Sequence, residues 1–173
     1  DDLNKFLTNS TKLKKLILMP REHLKSSIVT IGKSIQHILN NPNVSILFAN
    51  AVQANSESFL RQVKDYLHGH SMLPAIFGQF QSSKWNESEI IVKQRTIPDK
   101  TPTISIAGAD TALTSQHYDI IFLDDIVNRQ TVNTQDQIEK TKKFYSDCLD
   151  LLKKPNGILY VIGKRWDDKD LYG

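Results

Sequence analysis

A single cysteine, Cys148, stands in a chain of 173 residues, so no disulfide can close within it. No apolar run approaches the roughly 20 residues that a bilayer-spanning helix needs. The chain has no initiator Met, no signal-like start, no internal repeat and no low-complexity tract, and the expectation is a fragment of a larger intracellular protein. His68, His70 and His117 have neither the spacing nor the cysteine company of a zinc site. Net charge is small as well: the formal excess is +3, which suits an anionic partner without demanding one.

What is present is enough apolar content, 39%, for one domain with a two-sided core. Lys14 to Met19 reads as a buried strand. Ser26 to Asn40 follows as a helix with Ile28, Ile31, Ile35, Ile38 and Leu39 on one face, stopped by Asn40-Asn41-Pro42. Val44 to Phe48 is a second strand. Asn55 or Ser56 is expected to cap a helix carrying Phe59, Leu60, Val63 and Leu67, which Gly69 ends. Ser71 to Thr103, with its prolines and a short strand-like Ile90 to Lys93, is less regular. Thr103 to Ala107 and Asp119 to Leu123 read as strands, Thr134 to Lys153 as a long helix, and Ile158 to Gly163 as a last strand entered through Pro155-Asn156-Gly157. This alternation predicts an α/β fold, a mostly parallel sheet with helices on both faces.

Two segments carry chemistry. After the apolar Leu16-Ile17-Leu18 comes Pro20-Arg21-Glu22-His23-Leu24-Lys25-Ser26-Ser27, which sets a lysine and a hydroxyl at the mouth of a helix. Backbone N–H groups and a cation there suit a phosphate, and Ser26 suits Mg²⁺. The usual phosphate-binding loop, G-x-x-x-x-G-K-[ST], would place glycines at Met19 and Leu24, and both are absent. Glycine serves such a loop through its positive φ, so Leu24 implies a different path or local strain. The plain alternative is an ordinary strand-to-helix turn with Lys25 in solvent. The second segment is Tyr118 to Asp125, where Asp124 and Asp125 leave an apolar strand together. Adjacent carboxylates there ask for a cation, a helix N-terminus or open water. In a triphosphatase Asp124 would hold Mg²⁺ and Asp125 would deprotonate the attacking water; the plain alternative is an exposed turn.

The run from Pro20 to Ser27 resembles the departed Walker A loop of bacteriophage large terminase subunits. Val44 to Ala54, Lys84-Trp85, Gly108 and Tyr118 to Val127 resemble the segments that lead to and form the family's Walker B strand. Val161-Ile162-Gly163-Lys164-Arg165-Trp166 is similar to its coupling motif. The resemblance implies the N-terminal ATPase domain of such a subunit, a P-loop NTPase of the additional-strand, RecA-like type, in which the strand ending at Gly163 lies between the lysine-loop strand and the aspartate strand. It implies one ATPase domain over residues 1–173, with the nuclease domain of the full subunit outside this chain. The implied activity is Mg²⁺-dependent ATP hydrolysis that drives double-stranded DNA into a capsid. The implied partners are ATP, the portal protein, the small terminase subunit and a pentameric ring of copies, in the host cell cytoplasm at the procapsid portal.

By the same resemblance the nucleotide-binding residues are Pro20 to Ser27, the catalytic residues Lys25, Asp125 and Arg21, the metal ligands Ser26 and Asp124, and the coupling residues Gly163, Lys164 and Arg165. The family commonly has Glu where Asp125 stands and a small hydroxyl residue where Lys164 stands. It can carry an arginine where this chain has Ser115-Gln116-His117, which leaves Arg95, Arg129 and Arg165 as candidates for an arginine reaching a neighbour's nucleotide. A helicase or other translocase core, and a binding module that has lost hydrolysis, are the rival readings. Lys140, Lys142 and Lys143 read as a solvated helix face, Trp85 and Trp166 as packing residues, Cys148 as a small core residue, and Asp167, Asp168 and Asp170 as a helix start.

Overall fold

A computed structural model describes residues 2–9, 12–20, 23–69, 71–109, 111 and 116–166. In chain order the elements are α1 (Asp2–Asn9), β1 (Lys14–Leu18), a π-helical segment (Ser26–Gly32) running into α2 (Lys33–Asn40), β2 (Ile46–Asn50), α3 (Gln53–Leu67) and α4 (Met72–Phe77). There follow β3 (Gln81–Trp85), β4 (Glu89–Val92), β5 (Ile104–Gly108), β6 (Ile120–Asp124), a 3₁₀ turn (Arg129–Thr131), α5 (Gln135–Asp150) and β7 (Ile158–Gly163). The strands make one sheet in the order β1-β7-β6-β2-β5-β4-β3. From β1 to β5 neighbours run parallel, and β4 and β3 close the far side antiparallel. The mostly parallel α/β architecture is the one expected. β7 lies between β1 and β6, the placement implied for the strand ending at Gly163.

Period-two alternation in the strands supplies a core on each face. Ile17, Ile46, Phe48, Ile104, Phe122, Tyr160 and Ile162 face Val29, Ile31, Ile35 and Ile38 from the π-helical segment and α2, and Leu60, Val63 and Leu67 from α3. On the opposite face Leu47, Ala49, Ala107, Ile121, Leu123, Leu159 and Val161 meet Phe144 and Cys148 of α5. Phe122 stacks on Tyr160 at a centroid separation of 4.7 Å and meets Phe48 edge-on at 5.7 Å, tying β7, β6 and β2 together.

Several boundaries differ from the sequence reading for physical reasons. β1 is an edge strand and is buried on one face only: Lys15 and Ile17 point inward while Leu16 and Leu18 remain 50% and 42% exposed. α3 begins at Gln53 with no side-chain cap, so neither Asn55 nor Ser56 caps it. Asn55 instead reaches back to Asn50, and the buried Ser56 hydroxyl donates to the Ala107 carbonyl, fastening α3 to β5. The helix read as running from Ser26 opens as a π-helix. The irregular stretch after Ser71 holds α4 and the β3–β4 hairpin; β3, with burial only partial along its length, shows little apolar alternation to signal it.

At the N-terminal ends of the parallel strands, Asp119 accepts from Ser45 N at 2.8 Å, Ser45 Oγ at 2.7 Å and Lys153 Nζ at 3.1 Å. Arg95 belongs to this end. Its side chain is 6% exposed, donates to the Thr101 carbonyl at 2.7 Å, and sits near Asp99. A guanidinium so enclosed does not reach a neighbouring subunit, so Arg95 leaves the set of candidate fingers.

Candidate active site

The opposite, C-terminal ends of the strands gather the charged residues that the sequence singled out. Met19 N donates to Gly163 O at 3.2 Å, which holds the end of β1 beside the end of β7. The chain then returns at Leu24, whose φ is +53°, a left-handed step that costs a leucine about 1–2 kcal/mol. Of the alternatives posed by the missing glycine, the loop keeps the left-handed turn and carries the strain. Leu24 O accepts from Ile28 N at 2.9 Å, opening the π-helical segment directly after Lys25.

Lys25 is buried, not solvated. Its side chain is 9% exposed and Nζ lies 2.5 Å from Asp125 Oδ1, across a sequence separation of 100 residues. Asp125 also has positive φ, +49°, and its N–H donates to Ile162 O at 2.8 Å, so β7 positions the turn that presents the carboxylate. Among the described residues, Leu24 and Asp125 are the non-glycine positions with positive φ. The two strained turns carry, or stand next to, the two members of the ion pair, a concentration typical of functional sites.

Asp124 is 1% exposed, which removes the exposed-turn alternative. Its Oδ2 accepts from Thr30 Oγ1 at 2.5 Å, and its Oδ1 is buried with no partner among the described residues. Burial pushes the Asp124 carboxyl up to about 6; the Thr30 and Ser26 hydroxyls oppose the rise, the Asp125 charge adds to it, and the Lys25 charge opposes it. Asn50, 2% exposed at the end of β2, donates to the Asp124 carbonyl at 2.6 Å and accepts from Val52 N at 2.8 Å. Thr30 and Asn50 were not foreseen. A lone polar residue closing an apolar strand could have flagged Asn50. Nothing in the sequence singles out Thr30, one turn beyond Ser26, as the hydroxyl that meets Asp124.

The donor set fits a small hard cation. An orphaned carboxylate oxygen next to the Ser26 and Thr30 hydroxyls offers one or two protein ligands and leaves the rest to water and phosphate, the usual arrangement for Mg²⁺. Among the described residues no group of three or more His, Cys, Asp and Glu could make an all-protein cage.

Beside this centre opens a cavity of about 360 Å³, lined by Lys25, Asn50, Asp125, Arg129, Lys164 and Trp166 among others. A larger hollow of about 840 Å³ lies against α5 and contains neither Lys25 nor Asp125. Its lysines, Lys140 and Lys143, pair with Asp136 and Asp147 one helical turn away, in keeping with a solvated face. Of the coupling residues, Gly163 ends β7, Lys164 sets its Nζ 4.8 Å from the ring centroid of Trp166, and Arg165 is exposed. Pro20, His23, Leu24 and Ser27 are exposed, and Ser26 is partly buried. Arg21, Glu22, His70, Ser115, Asp167, Asp168 and Asp170 lie outside the described residues.

No family model and no curated protein matches the chain. Among solved structures it is similar to one described as "The Phi-28 gp11 DNA packaging Motor", with a TM-score of 0.56 and 15% sequence identity over 95% of this chain. The chain spans 50% of the length of that one. The α/β fold described above is thus shared with a DNA packaging motor protein.

Proposed function

We propose that this chain is a nucleotide-hydrolysing motor domain of a viral DNA packaging machine, using Mg²⁺-ATP to move double-stranded DNA. The observation that carries the reading is the convergence of Lys25, from the loop after β1, with Asp124 and Asp125, from the end of β6, across the intervening β7 at the C-terminal edge of the parallel sheet, where open α/β sheets bind ligands. The likeness to a packaging motor favours this reading over a helicase core.

The geometry supports the following roles. Lys25 exchanges Asp125 for the β- and γ-phosphates, which compete for the same ammonium. Once released, Asp125 accepts a proton from the water that attacks the γ-phosphorus as the bond to ADP breaks. Asp124, with the Ser26 and Thr30 hydroxyls, would hold Mg²⁺, which would neutralise charge on the phosphates. Asn50 fixes the Asp124 backbone and so the position of its carboxylate. Arg21 would add positive charge from the loop. In the whole protein a ring of five copies on the portal, with the small subunit alongside, would pass the step at Gly163-Lys164-Arg165 to the DNA.

Phosphate release from Mg²⁺-ATP by wild type, Lys25→Ala and Asp125→Ala tests this. The reading expects a fall of roughly a hundredfold or more in both variants. Equal rates in all three proteins would remove Lys25 and Asp125 from the chemistry.

A further inference from the structure

The cavity beside Lys25 has a second cationic wall. Three cations line it, Lys25, Arg129 and Lys164, against one carboxylate, Asp125. Lys25 is engaged with that carboxylate, and Lys164 rests near the Trp166 ring. Arg129 is exposed, and its guanidinium makes no hydrogen bond or ion pair with any described residue.

The backbone beneath Arg129 is held firmly while its side chain is left unengaged. Thr131 Oγ1 accepts from Asn128 N at 2.9 Å and donates to Asn128 O at 3.1 Å, while Asn128 Oδ1 accepts from Thr131 N at 3.2 Å. These bonds lock the 3₁₀ turn that follows β6 by a few residues. Ile126 and Val127, 1% exposed each, anchor its approach in the core. A fixed turn thus sets an arginine, with no bond to another described residue, in the wall of a cavity shared with a phosphate-suited lysine. A guanidinium offers a planar fork of donors matched to phosphate oxygens.

We propose that Arg129 contacts the terminal phosphate of the nucleotide held by Lys25 of the same chain, and so distinguishes a nucleoside triphosphate from a diphosphate. This rests on the nucleotide reading above and adds to it a residue and the chain that supplies it. Arg129 lies in the same cavity as its own Lys25 and Asp125, so it acts within one subunit; the arginine that reaches a neighbour, if Arg165 supplies it, is a separate group. Loss of Arg129 removes a contact that exists only when the terminal phosphate is present, so it changes triphosphate binding and leaves diphosphate binding alone.

Calorimetric titration of the chain with Mg²⁺-ATPγS and with Mg²⁺-ADP, for wild type, Arg129→Ala, Arg129→Lys and Lys25→Ala, tests the proposal. Arg129→Ala is expected to weaken ATPγS about tenfold while ADP stays within about twofold, with Arg129→Lys in between. Equal shifts for the two nucleotides, or none for either, in a protein where Lys25→Ala abolishes binding, would overturn the role of Arg129 alone. Unchanged binding of both nucleotides by Lys25→Ala would overturn the nucleotide reading beneath it. Equimolar Arg129→Ala and Lys25→Ala chains are expected to show no turnover beyond the sum of the separate variants; recovered activity would mean that Arg129 acts across subunits.

Discussion

Thr30→Val removes one hydroxyl and keeps the shape of the side chain. Thr30 is 0% exposed and Asp124 1%, so water does not replace the lost donor. The contact is 2.5 Å long, and the other carboxylate oxygen already lacks a partner. A hydrogen bond to a charged group contributes about 1.5–3 kcal/mol, and with the Ser26 hydroxyl still beside the carboxylate the expected loss near pH 8 is about 2 kcal/mol. With a urea m-value of about 2 kcal/mol/M, the unfolding midpoint moves down by about 1 M. The loss depends on pH in a definite direction. Asp124's ordinary value of 3.8 rises to about 6 in the folded chain, so across that window the folded state holds a proton that the unfolded state has released. Stability from this group therefore falls as pH rises through the window, and Thr30→Val, which pushes the folded value higher still, steepens the fall. Near pH 5 the carboxyl is largely protonated and the penalty shrinks to about 1 kcal/mol. Urea denaturation at both pH values, with Ser26→Ala as the comparison, reads this out. A Thr30→Val protein within about 0.5 kcal/mol of wild type at the higher pH, or equally destabilised at both, would refute the account of this contact.

Other parts of the structure make equally definite demands. Burial, followed by the positive charges of Lys33 and Lys15, lowers His37 from 6.5 to about 4, and its Nε2 lies 3.2 Å from the Tyr160 hydroxyl. The unfolded chain therefore takes up this proton first, so stability is lost as pH falls from 6.5 to about 4, and His37→Gln removes up to about 3 kcal/mol of that dependence in pH-resolved unfolding. A Cβ at Gly108 would stand 2.8 Å from Gln53 Cβ and 3.1 Å from its Cα and N, so Gly108→Ala must displace the start of α3; a cost of about 1–3 kcal/mol is expected in the same assay. Leu24 is 66% exposed with φ +53°, so in Leu24→Gly the relieved strain and the added chain entropy nearly cancel, leaving stability within about 1 kcal/mol of wild type. Leu24→Ile, branched at Cβ, is expected to lose more than Leu24→Gly in urea.

The sheet was legible because its central strands are runs with no polar interruption: Ile120 to Leu123 and Ile158 to Ile162 could only be buried on two faces. β1 was read as equally buried because Leu16, Ile17 and Leu18 resemble such a run, and sequence does not say which strand ends up at an edge. β4 was visible as the strand-like Ile90 to Lys93, but β3 escaped notice because Gln81, Ser82, Ser83 and Lys84 carry little apolar alternation, and the pairing that makes them a strand comes from β4. Within the site, Lys25, Asp124 and Asp125 stood out because charge at the end of an apolar run is chemically conspicuous. Thr30 did not, because a hydroxyl inside a helix does not announce its partner, and this one lies 94 residues away. Asp125's attachment to Lys25 is likewise a property of the fold, since 100 residues separate them.

The position of Lys25 Nζ in the presence of a non-hydrolysable ATP analogue and Mg²⁺ tests the central claim most directly. A crystal structure of that complex is expected to show the ammonium withdrawn from Asp125 and bonded to phosphate oxygens between the Leu24–Ser26 turn and the end of β6. An analogue bound elsewhere, with the Lys25–Asp125 pair still 2.5 Å apart, would contradict it.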